Sequence, residues 1–204
     1  MLKLIRRSAL LVVLLAVSVA HAAATVDMKD PYKMLNEVAT KTFNLIQANH
    51  DKMTDRDFRI NLIRTELMPY VDIRYASFKV IGNNYKQTTK EQRDNFISAF
   101  EIYIINSFAD ALGKYDKQQL VNPPYQKIAD TEKLTTMKFL IREEGKQDLE
   151  LVFKLRRNAK TGEWRVFDMI AENISLLQAK QSELGPLIRD QGIDSVTQML
   201  KEKK

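Results

Sequence analysis

The sequence contains no cysteine and almost no histidine, and both absences restrict the chemistry open to the protein. Of the two histidines in 204 residues, His21 lies in the N-terminal apolar segment, and His50 is the only one in the rest of the chain. Zinc and iron sites are not expected, because thiolates and imidazoles are their commonest ligands. A nucleophile activated by histidine is not expected either, since His50 lies in a polar stretch between helices.

Glycine is also scarce, and the six glycines are isolated from one another, so that no glycine-rich loop can hold a phosphate group. The formal net charge is +6, but Lys3, Arg6 and Arg7 supply half of it. Without those three cations, 29 of the 32 basic residues remain against 26 acidic residues. This near balance predicts no nucleic-acid partner.

The first 24 residues have the three parts of a signal peptide. The cations precede an apolar run from Ala9 to Val17, and small residues follow, so that cleavage is predicted after Ala22 or Ala24. The run is shorter than the ~20 apolar residues that a membrane-spanning helix needs. Because there is no cysteine thiol to acylate, a lipid anchor is not expected. We therefore predict a signal peptide over residues 1–24 and a soluble mature protein outside the cytoplasm.

The first part of the mature chain has the apolar spacing of helices. Asp30-Pro31 predicts a helix start, since an acidic N-cap precedes proline at the first helical position. Thr89 and Gln92 have the spacing of a capping box, which predicts the start of the longest helix. We expect helices over the approximate ranges 31–49, 55–68, 73–81 and 90–115.

After Pro123-Pro124 an alternation of period two replaces the helical spacing. Strands are predicted over residues 135–142, 149–155 and 164–170, and Tyr125 to Ala129 is a candidate fourth strand. Helical spacing returns beyond Asn173, is expected to break at Gly185-Pro186, and resumes after Gly192. Helices that precede and follow an antiparallel meander predict an α+β fold.

Two polar features have competing interpretations. Asp168 lies within the apolar strand predicted over residues 164–170, where a carboxylate needs a partner. It either caps or pairs with groups near the start of the next helix, or acts as a general base in a pocket. Basic residues cluster in two places. One group, at the turn after the second long strand, is Arg156, Arg157 and Lys160. The other, at the C-terminus, is Lys201, Lys203 and Lys204. Each group is either an ordinary solvated surface or a docking patch for acidic proteins or an anionic membrane.

Several segments together resemble one family. They are the stretch from Leu67 to Ala76, Val80-Ile81-Gly82 with Tyr85-Lys86, the long helix with Gln92-Arg93, Phe96, Phe100, Tyr103 and Tyr115, and the string from Trp164 to Leu176. In these residues the chain resembles MlaC, the periplasmic phospholipid-binding component of the Mla pathway of Gram-negative bacteria. Two residues depart from the common pattern, because Tyr85 replaces a frequent tryptophan and Asn173 a frequent glycine.

The resemblance implies an NTF2-like antiparallel sheet packed with a long helix, plus a helical subdomain, enclosing an apolar cavity. Residues 25–204 then form a single lipid-binding domain. Its helical subdomain comprises residues 30–86 and 173–204, and its NTF2-like part comprises residues 88–172. No cofactor is implied, and the bound ligand is a diacyl glycerophospholipid whose head group faces solvent.

The resemblance further implies a monomeric, non-enzymatic carrier in the periplasm. It moves phospholipid between an outer-membrane lipoprotein–porin complex and an inner-membrane ABC transporter with an MCE-domain protein, and so maintains outer-membrane lipid asymmetry. We expect the cavity walls, or ordinary core positions, at these apolar residues: Val71, Phe78, Phe96, Phe100, Tyr103, Ile104, Phe108, Met137, Phe139, Leu151, Phe153, Trp164 and Val166.

Three other functions remain open from the sequence. An exported NTF2-like enzyme would use Asp168 as its base, because a fold does not fix a function. A periplasmic lipoprotein carrier would also need an apolar cavity, although on a larger sheet. A plain interaction adaptor would have a filled core and no ligand.

Overall fold

The computed structural model describes residues 26–114 and 118–203. The predicted signal peptide lies outside the described residues. Within them the chain forms six α-helices and one five-stranded sheet, and the predicted α+β fold class is confirmed.

The first two helices follow the signals read from the sequence. Helix α1 spans Pro31–Ala48, and the Asp30 side chain accepts hydrogen bonds from the backbone N–H groups of Tyr32 and Lys33. Helix α2 spans Arg56–Leu62 and continues as a π-helical turn over Ile63–Leu67. A 3-10 turn over Met68–Tyr70 follows, because proline cannot extend the regular helix.

Helices α3 and α4 also begin at the expected residues. Helix α3 spans Ile73–Ile81, where Asp72 caps its N-terminus, and it ends at Gly82 with φ of 56° and ψ of −128°. Helix α4 spans Lys90–Leu112 and starts with the reciprocal capping box of Thr89 and Gln92. It therefore ends three residues before Tyr115, the predicted end.

The sheet is an antiparallel meander in sequence order, β1-β2-β3-β4-β5. Its strands are β1 at Gln119–Val121, β2 at Leu134–Arg142, β3 at Leu149–Arg157, β4 at Trp164–Ala171 and β5 at Ile174–Ser175. The candidate strand at Tyr125 to Ala129 is wrong, since those residues have no strand assignment and β1 occupies the edge beside β2. A strand-like segment also needs a free strand edge to pair with, and the edge beside β2 is already occupied by β1.

Two local irregularities shape the end of the sheet. The β3–β4 register shifts beside Leu155, so that Phe167 lies between paired residues without a partner of its own. Glu172 and Asn173 join β4 to β5 with φ of 50° and 64°. Positive φ at both residues of a two-residue turn is the pattern of a type I′ hairpin, in which asparagine is favoured. Asn173 therefore suits this turn.

Helix α5 spans Leu176–Gln191 and helix α6 spans Ile193–Glu202. The predicted break at Gly185-Pro186 is wrong, because α5 continues through both residues. The neighbouring side chains of Leu184 and Ile188 are buried against the other helices, and this packing offsets the hydrogen bond that Pro186 removes. The Asn84 side chain also donates to the Gly185 carbonyl oxygen at 3.1 Å.

The described core is divided into clusters that belong to different elements. One helical cluster joins α3, α4, α5 and α6, and includes the fully buried Phe96 and Leu184. The sheet cluster joins the sheet to α1 through Tyr32, Leu35 and Val38. In the sheet cluster as described, the buried helical side chains come from α1, whereas the buried residues of α4 belong to the helical cluster and to a third cluster. This third cluster of α2, the π turn and α4 lies between them.

Candidate functional site

Five of the thirteen predicted wall residues are fully buried. Each is no more than 2% exposed, and they are Phe96, Phe100, Met137, Phe139 and Trp164. Phe96 and Phe100 stack at 5.8 Å between ring centroids inside the helical cluster, whereas the other three belong to the sheet cluster. In this structure these side chains pack against protein atoms at the density of a protein core.

Three more predicted residues lie at the margin of the helical cluster, namely Phe78, Tyr103 and Ile104. The Tyr103 hydroxyl accepts a hydrogen bond from Lys180 Nζ at 2.7 Å, and Lys203 also lies over its ring. Phe78 makes an edge contact with Tyr85 at 5.3 Å between centroids. Tyr103 and Phe78 therefore contact polar side chains near the surface, away from the sheet cluster.

The remaining five predicted residues form what we call the seam: Val71, Phe108, Leu151, Phe153 and Val166. All five are half-buried, and they lie on opposite sides of the division between clusters. Leu151, Phe153 and Val166 pack on the sheet cluster, and Val71 and Phe108 pack on the third cluster. The five are thus apolar side chains on two clusters, and none of them is sealed from solvent.

The two sides of the seam meet at the edge of β4. Val71 forms an isolated parallel bridge with Val166, and the Asp72 N–H donates to the Val166 carbonyl oxygen at 2.7 Å. Arg156 then pairs with the Asp72 carboxylate at 2.6 Å. These bonds fasten the start of α3 to the sheet at one point, while the apolar side chains beside it remain half-buried.

Leu67 is a seam residue that the sequence reasoning missed. It packs against both the sheet cluster and the third cluster, which no predicted residue does. One sequence feature could have identified it. Leu67 is the last residue in the apolar stripe of the second predicted helix, directly before the helix end at Met68-Pro69. Beside it, Glu66 bonds Lys41 of α1 at 2.7 Å, and that hydrogen bond raises the pKa of Lys41.

Asp168 is a structural carboxylate, as the first of its two interpretations held. Its side chain is only 2% exposed and lies 3.1 Å from Lys154 Nζ. It also accepts hydrogen bonds from Ser175 Oγ at 2.8 Å and from the Leu177 N–H at 3.0 Å. The carboxylate therefore satisfies an orphan donor at the start of α5 and joins that helix to the sheet.

The basic groups differ in how far they are paired. Arg156 bonds Asp72, and Arg157 donates to the carbonyl oxygens of Asp130 and Gly162 while lying over the Trp164 ring. Lys203 is 3.3 Å from Glu183, whereas Lys204 lies outside the described residues. Arg156 and Arg157 are thus held by neighbours in the fold.

Two concavities in the described part of the chain stand out, and neither is lined by a seam residue. The larger, of about 680 Å³, follows one side of α1 and is lined by Asn36, Glu37, Thr40, Lys41, Asn44, Leu45 and Ala48. The smaller, of about 160 Å³, lies between the start of α1 and the sheet, and Trp164 and Arg157 are among its lining residues. Five of the seven residues that line the larger concavity are polar or charged, although the surface they present to it is mainly apolar.

The described residues also include no group of three or more histidines, aspartates or glutamates placed to hold a metal ion. Among the helices of residues 26–114 and 118–203, none has the length and apolarity to cross a membrane.

Comparison with known proteins identifies relatives of the whole fold. The family model for MlaC protein matches residues 36–202. The intermembrane phospholipid transport system binding protein MlaC of Haemophilus influenzae is 33% identical over 167 residues, which is 81% of this chain and 78% of that protein. The phospholipid-binding protein from Ralstonia solanacearum, solved in complex with a phospholipid, superposes with a TM-score of 0.74 at 17% identity. The superposition covers 85% of this chain and 96% of that one, and at this identity it concerns the fold.

The match to the family model and the identity to the Haemophilus relative extend over most of the chain, including α3, α4 and the string from Trp164 to Leu176 that carried the resemblance. The chain belongs to the MlaC protein family.

Proposed function

We propose that this protein is a periplasmic carrier that holds a diacyl glycerophospholipid between its sheet cluster and its helical clusters. The observation that carries the proposal is the seam, where Leu67 and the five predicted residues leave apolar surface half-buried on both sides. The Haemophilus relative is named as a binding protein of a phospholipid transport system, and the Ralstonia neighbour was solved with a phospholipid. As predicted, the chain is not an enzyme.

The affinity that such a site supplies follows from the acyl chains. Burial contributes about 0.8 kcal/mol per methylene, so that a 16-carbon chain gains on the order of 12 kcal/mol. Two chains would exceed the ceiling of roughly 18–21 kcal/mol seen for non-covalent complexes. Part of the gain must therefore be offset, and separating apolar surfaces that touch in the ligand-free protein is a direct cost of that kind.

Entry of the lipid then requires the two sides of the seam to separate. The bonds that join them include the Val71–Val166 bridge, the Asp72–Arg156 pair and the Lys41–Glu66 pair. The Asp168 hydrogen bonds, which join β4 to α5, act as a hinge that stays closed. The buried packing lies within each cluster rather than across the seam. Separation along the seam therefore leaves the interior of each cluster intact, which is the physical requirement for a reversible carrier.

The transport route is part of the same proposal. We infer that the protein exchanges lipid with an outer-membrane lipoprotein–porin complex and with an inner-membrane MCE-domain ABC transporter, and acts as a monomer. Such exchange would maintain outer-membrane lipid asymmetry. Burial of the acyl chains opposes spontaneous release of the lipid. An acceptor protein therefore has to offer the acyl chains another apolar surface in place of the seam.

The enzyme alternative depended on Asp168 as a base, and the hydrogen bonds of Asp168 instead join β4 to α5. A lipoprotein carrier typically has a larger curved sheet than the five described strands, three of which are long. No observation favours either over a phospholipid carrier.

The direct test is native mass spectrometry of the mature protein, purified without detergent, followed by organic extraction. The proposal expects one diacyl lipid per chain with mixed head groups. A spectrum that contains only ligand-free protein would refute it.

A matched pair of substitutions tests the seam itself. Leu67→Gln places an amide where acyl chains are expected, whereas Leu134→Gln makes the same change at a side chain that is 58% exposed on β2. We expect the lipid occupancy of Leu67→Gln to fall by at least half and that of Leu134→Gln to equal the wild type. Equal occupancy in both variants, at unchanged far-ultraviolet circular dichroism, would move the lipid away from the seam.

A further inference from the structure

A surface outside the seam combines stacked aromatic rings with cations. Arg74 lies over the Phe78 ring at 5.0 Å, Phe78 contacts Tyr85 edge to face, and Arg93 lies over the Tyr85 ring at 4.2 Å. Tyr85 is 41% exposed, which is unusual for a tyrosine held between other side chains. We call this surface, with the adjoining Lys86 and Lys90, the α3–α4 patch.

The patch carries an excess of positive charge. From Ile73 to Gln92 the only acidic residue is Glu91, and the acid bonded within the patch is Asp94. Asp94 bonds both Arg74 at 3.1 Å and Lys90 at 2.7 Å, and these hydrogen bonds hold its pKa below the ordinary value. Counting Arg74, Lys86, Lys90 and Arg93 against Glu91 and Asp94, the patch has an excess of two cations.

Neighbouring groups hold the rings and arginines in place. Arg93 donates to the carbonyl oxygens of Tyr85 and Thr88, and Asn84 bonds the α5 backbone at the Gly185 carbonyl. Lys86 and Lys90 are exposed, Lys90 with 81% of its side chain accessible, and Lys86 has no ion-pair partner among the described residues. The patch thus combines aromatic rings held by their neighbours with two exposed ammonium groups, of which Lys90 bonds Asp94.

We propose that the α3–α4 patch docks the protein on an anionic phospholipid bilayer surface. Aromatic rings with a polar edge and clustered Lys and Arg are the composition that interacts with lipid head groups. The patch places cations beside an exposed tyrosine ring, and its positive charge complements the phosphates of an anionic bilayer.

The size of the effect follows from its charge. A Lys or Arg near an anionic membrane surface strengthens binding by about 1 kcal/mol, which is roughly fivefold in affinity at room temperature. Two uncompensated cations therefore favour anionic over zwitterionic vesicles roughly 25-fold. Because the Debye length shrinks to about 3 Å at 1 M salt, this preference disappears there.

The test is flotation of the mature protein with vesicles of phosphatidylcholine alone and of phosphatidylcholine with phosphatidylglycerol, at low and high salt. Lys86→Glu is compared with Lys160→Glu, which makes the same change of net charge in the β3–β4 turn. We expect Lys86→Glu to weaken binding to anionic vesicles at least fivefold and Lys160→Glu to leave it within twofold. Tyr85→Ser is expected to weaken it without changing the salt dependence.

Three outcomes would overturn the proposal. If wild-type protein fails to float with anionic vesicles at low salt, the patch has another partner, such as an acidic protein. If Lys160→Glu weakens binding as much as Lys86→Glu, net charge rather than the patch is responsible. If binding survives high salt, it is not electrostatic. Cargo is measured separately by extraction, so that a failure of lipid carriage is distinguishable from a failure of docking.

Discussion

Removing the Asp168 carboxylate is expected to loosen the joint between β4 and α5. Asp168→Ala leaves the Leu177 N–H without its acceptor and Ser175 Oγ without one of its partners. A hydrogen bond to a charged group contributes about 1.5–3 kcal/mol, and a buried donor left unpaired costs about 1–3 kcal/mol. The Lys154 side chain is 36% exposed and regains water, so its lost ion pair adds little. We expect a loss of about 2–4 kcal/mol in the free energy of unfolding.

Two variants separate this account from a general sensitivity to lost charge. Asp168→Asn keeps an oxygen for the Leu177 N–H and is expected to cost about half as much as Asp168→Ala. Glu150→Ala removes a carboxylate from an exposed pair with Lys138 and is expected to cost less than about 1 kcal/mol. Urea denaturation of the delipidated mature protein measures all three, because bound lipid would stabilise the native state.

In thermal unfolding the expected loss corresponds to a Tm decrease of about 4–16 °C for a domain of this size. If Asp168→Ala costs no more than Glu150→Ala, the joint does not depend on the carboxylate. If Asp168→Ala keeps its stability but abolishes a chemical turnover, Asp168 is a catalytic base and the structural account is wrong.

Three smaller predictions concern acid stability and two turns. The pKa of Glu183 lies below its ordinary value of 4.5 because Lys180 donates a hydrogen bond to it, with a further contribution from Lys203. The stabilisation is therefore present above pH 4.5 and is lost as the pH falls through the folded-state pKa, since the unfolded chain binds the proton more tightly. Glu183→Gln should flatten this acid dependence in urea denaturation above and below pH 4.5, and an unchanged slope would contradict it. Asn173 has φ of 64°, so Asn173→Val should lower the free energy of unfolding by about 1–2 kcal/mol. Asn173→Gly should change it by only about a few tenths of a kcal/mol, because glycine adopts positive φ freely. Equal costs for the two variants would be inconsistent with the turn. Gly82→Ala should cost about 1–3 kcal/mol in the free energy of unfolding, measured by thermal unfolding. Gly145→Ala is the control, because Gly145 also has positive φ but lies in an open turn with no atom near its added Cβ. No loss at Gly82 would refute the backbone requirement at the end of α3.

The sequence was most informative where the signals are local. The Asp30 cap, the Thr89–Gln92 capping box and the Asp72 cap each lie within four residues of the groups they bond, and all three helix starts were predicted. The two long hairpins were predicted for the same reason, because turn residues and alternating apolar residues lie side by side in the chain. Local chemistry of this kind requires no knowledge of the rest of the fold.

The errors occurred where distant packing decides between local alternatives. Gly185-Pro186 breaks most helices, but here buried neighbours in α5 keep the helix continuous. The residues from Tyr125 to Ala129 were a candidate strand, yet the free edge beside β2 pairs with Gln119–Val121. Propensity is a weak determinant when tertiary contacts oppose it.

For the candidate site, the sequence determined which side chains are apolar and on which face of each element they lie. It did not determine which of those faces are sealed, because a core position and an incompletely buried one have the same periodicity. Only the tertiary structure divided the thirteen residues into five core positions, three at the helical margin and five at the seam, and placed Leu67 between two clusters. Burial depends on what packs opposite a side chain, and that partner is distant in the sequence.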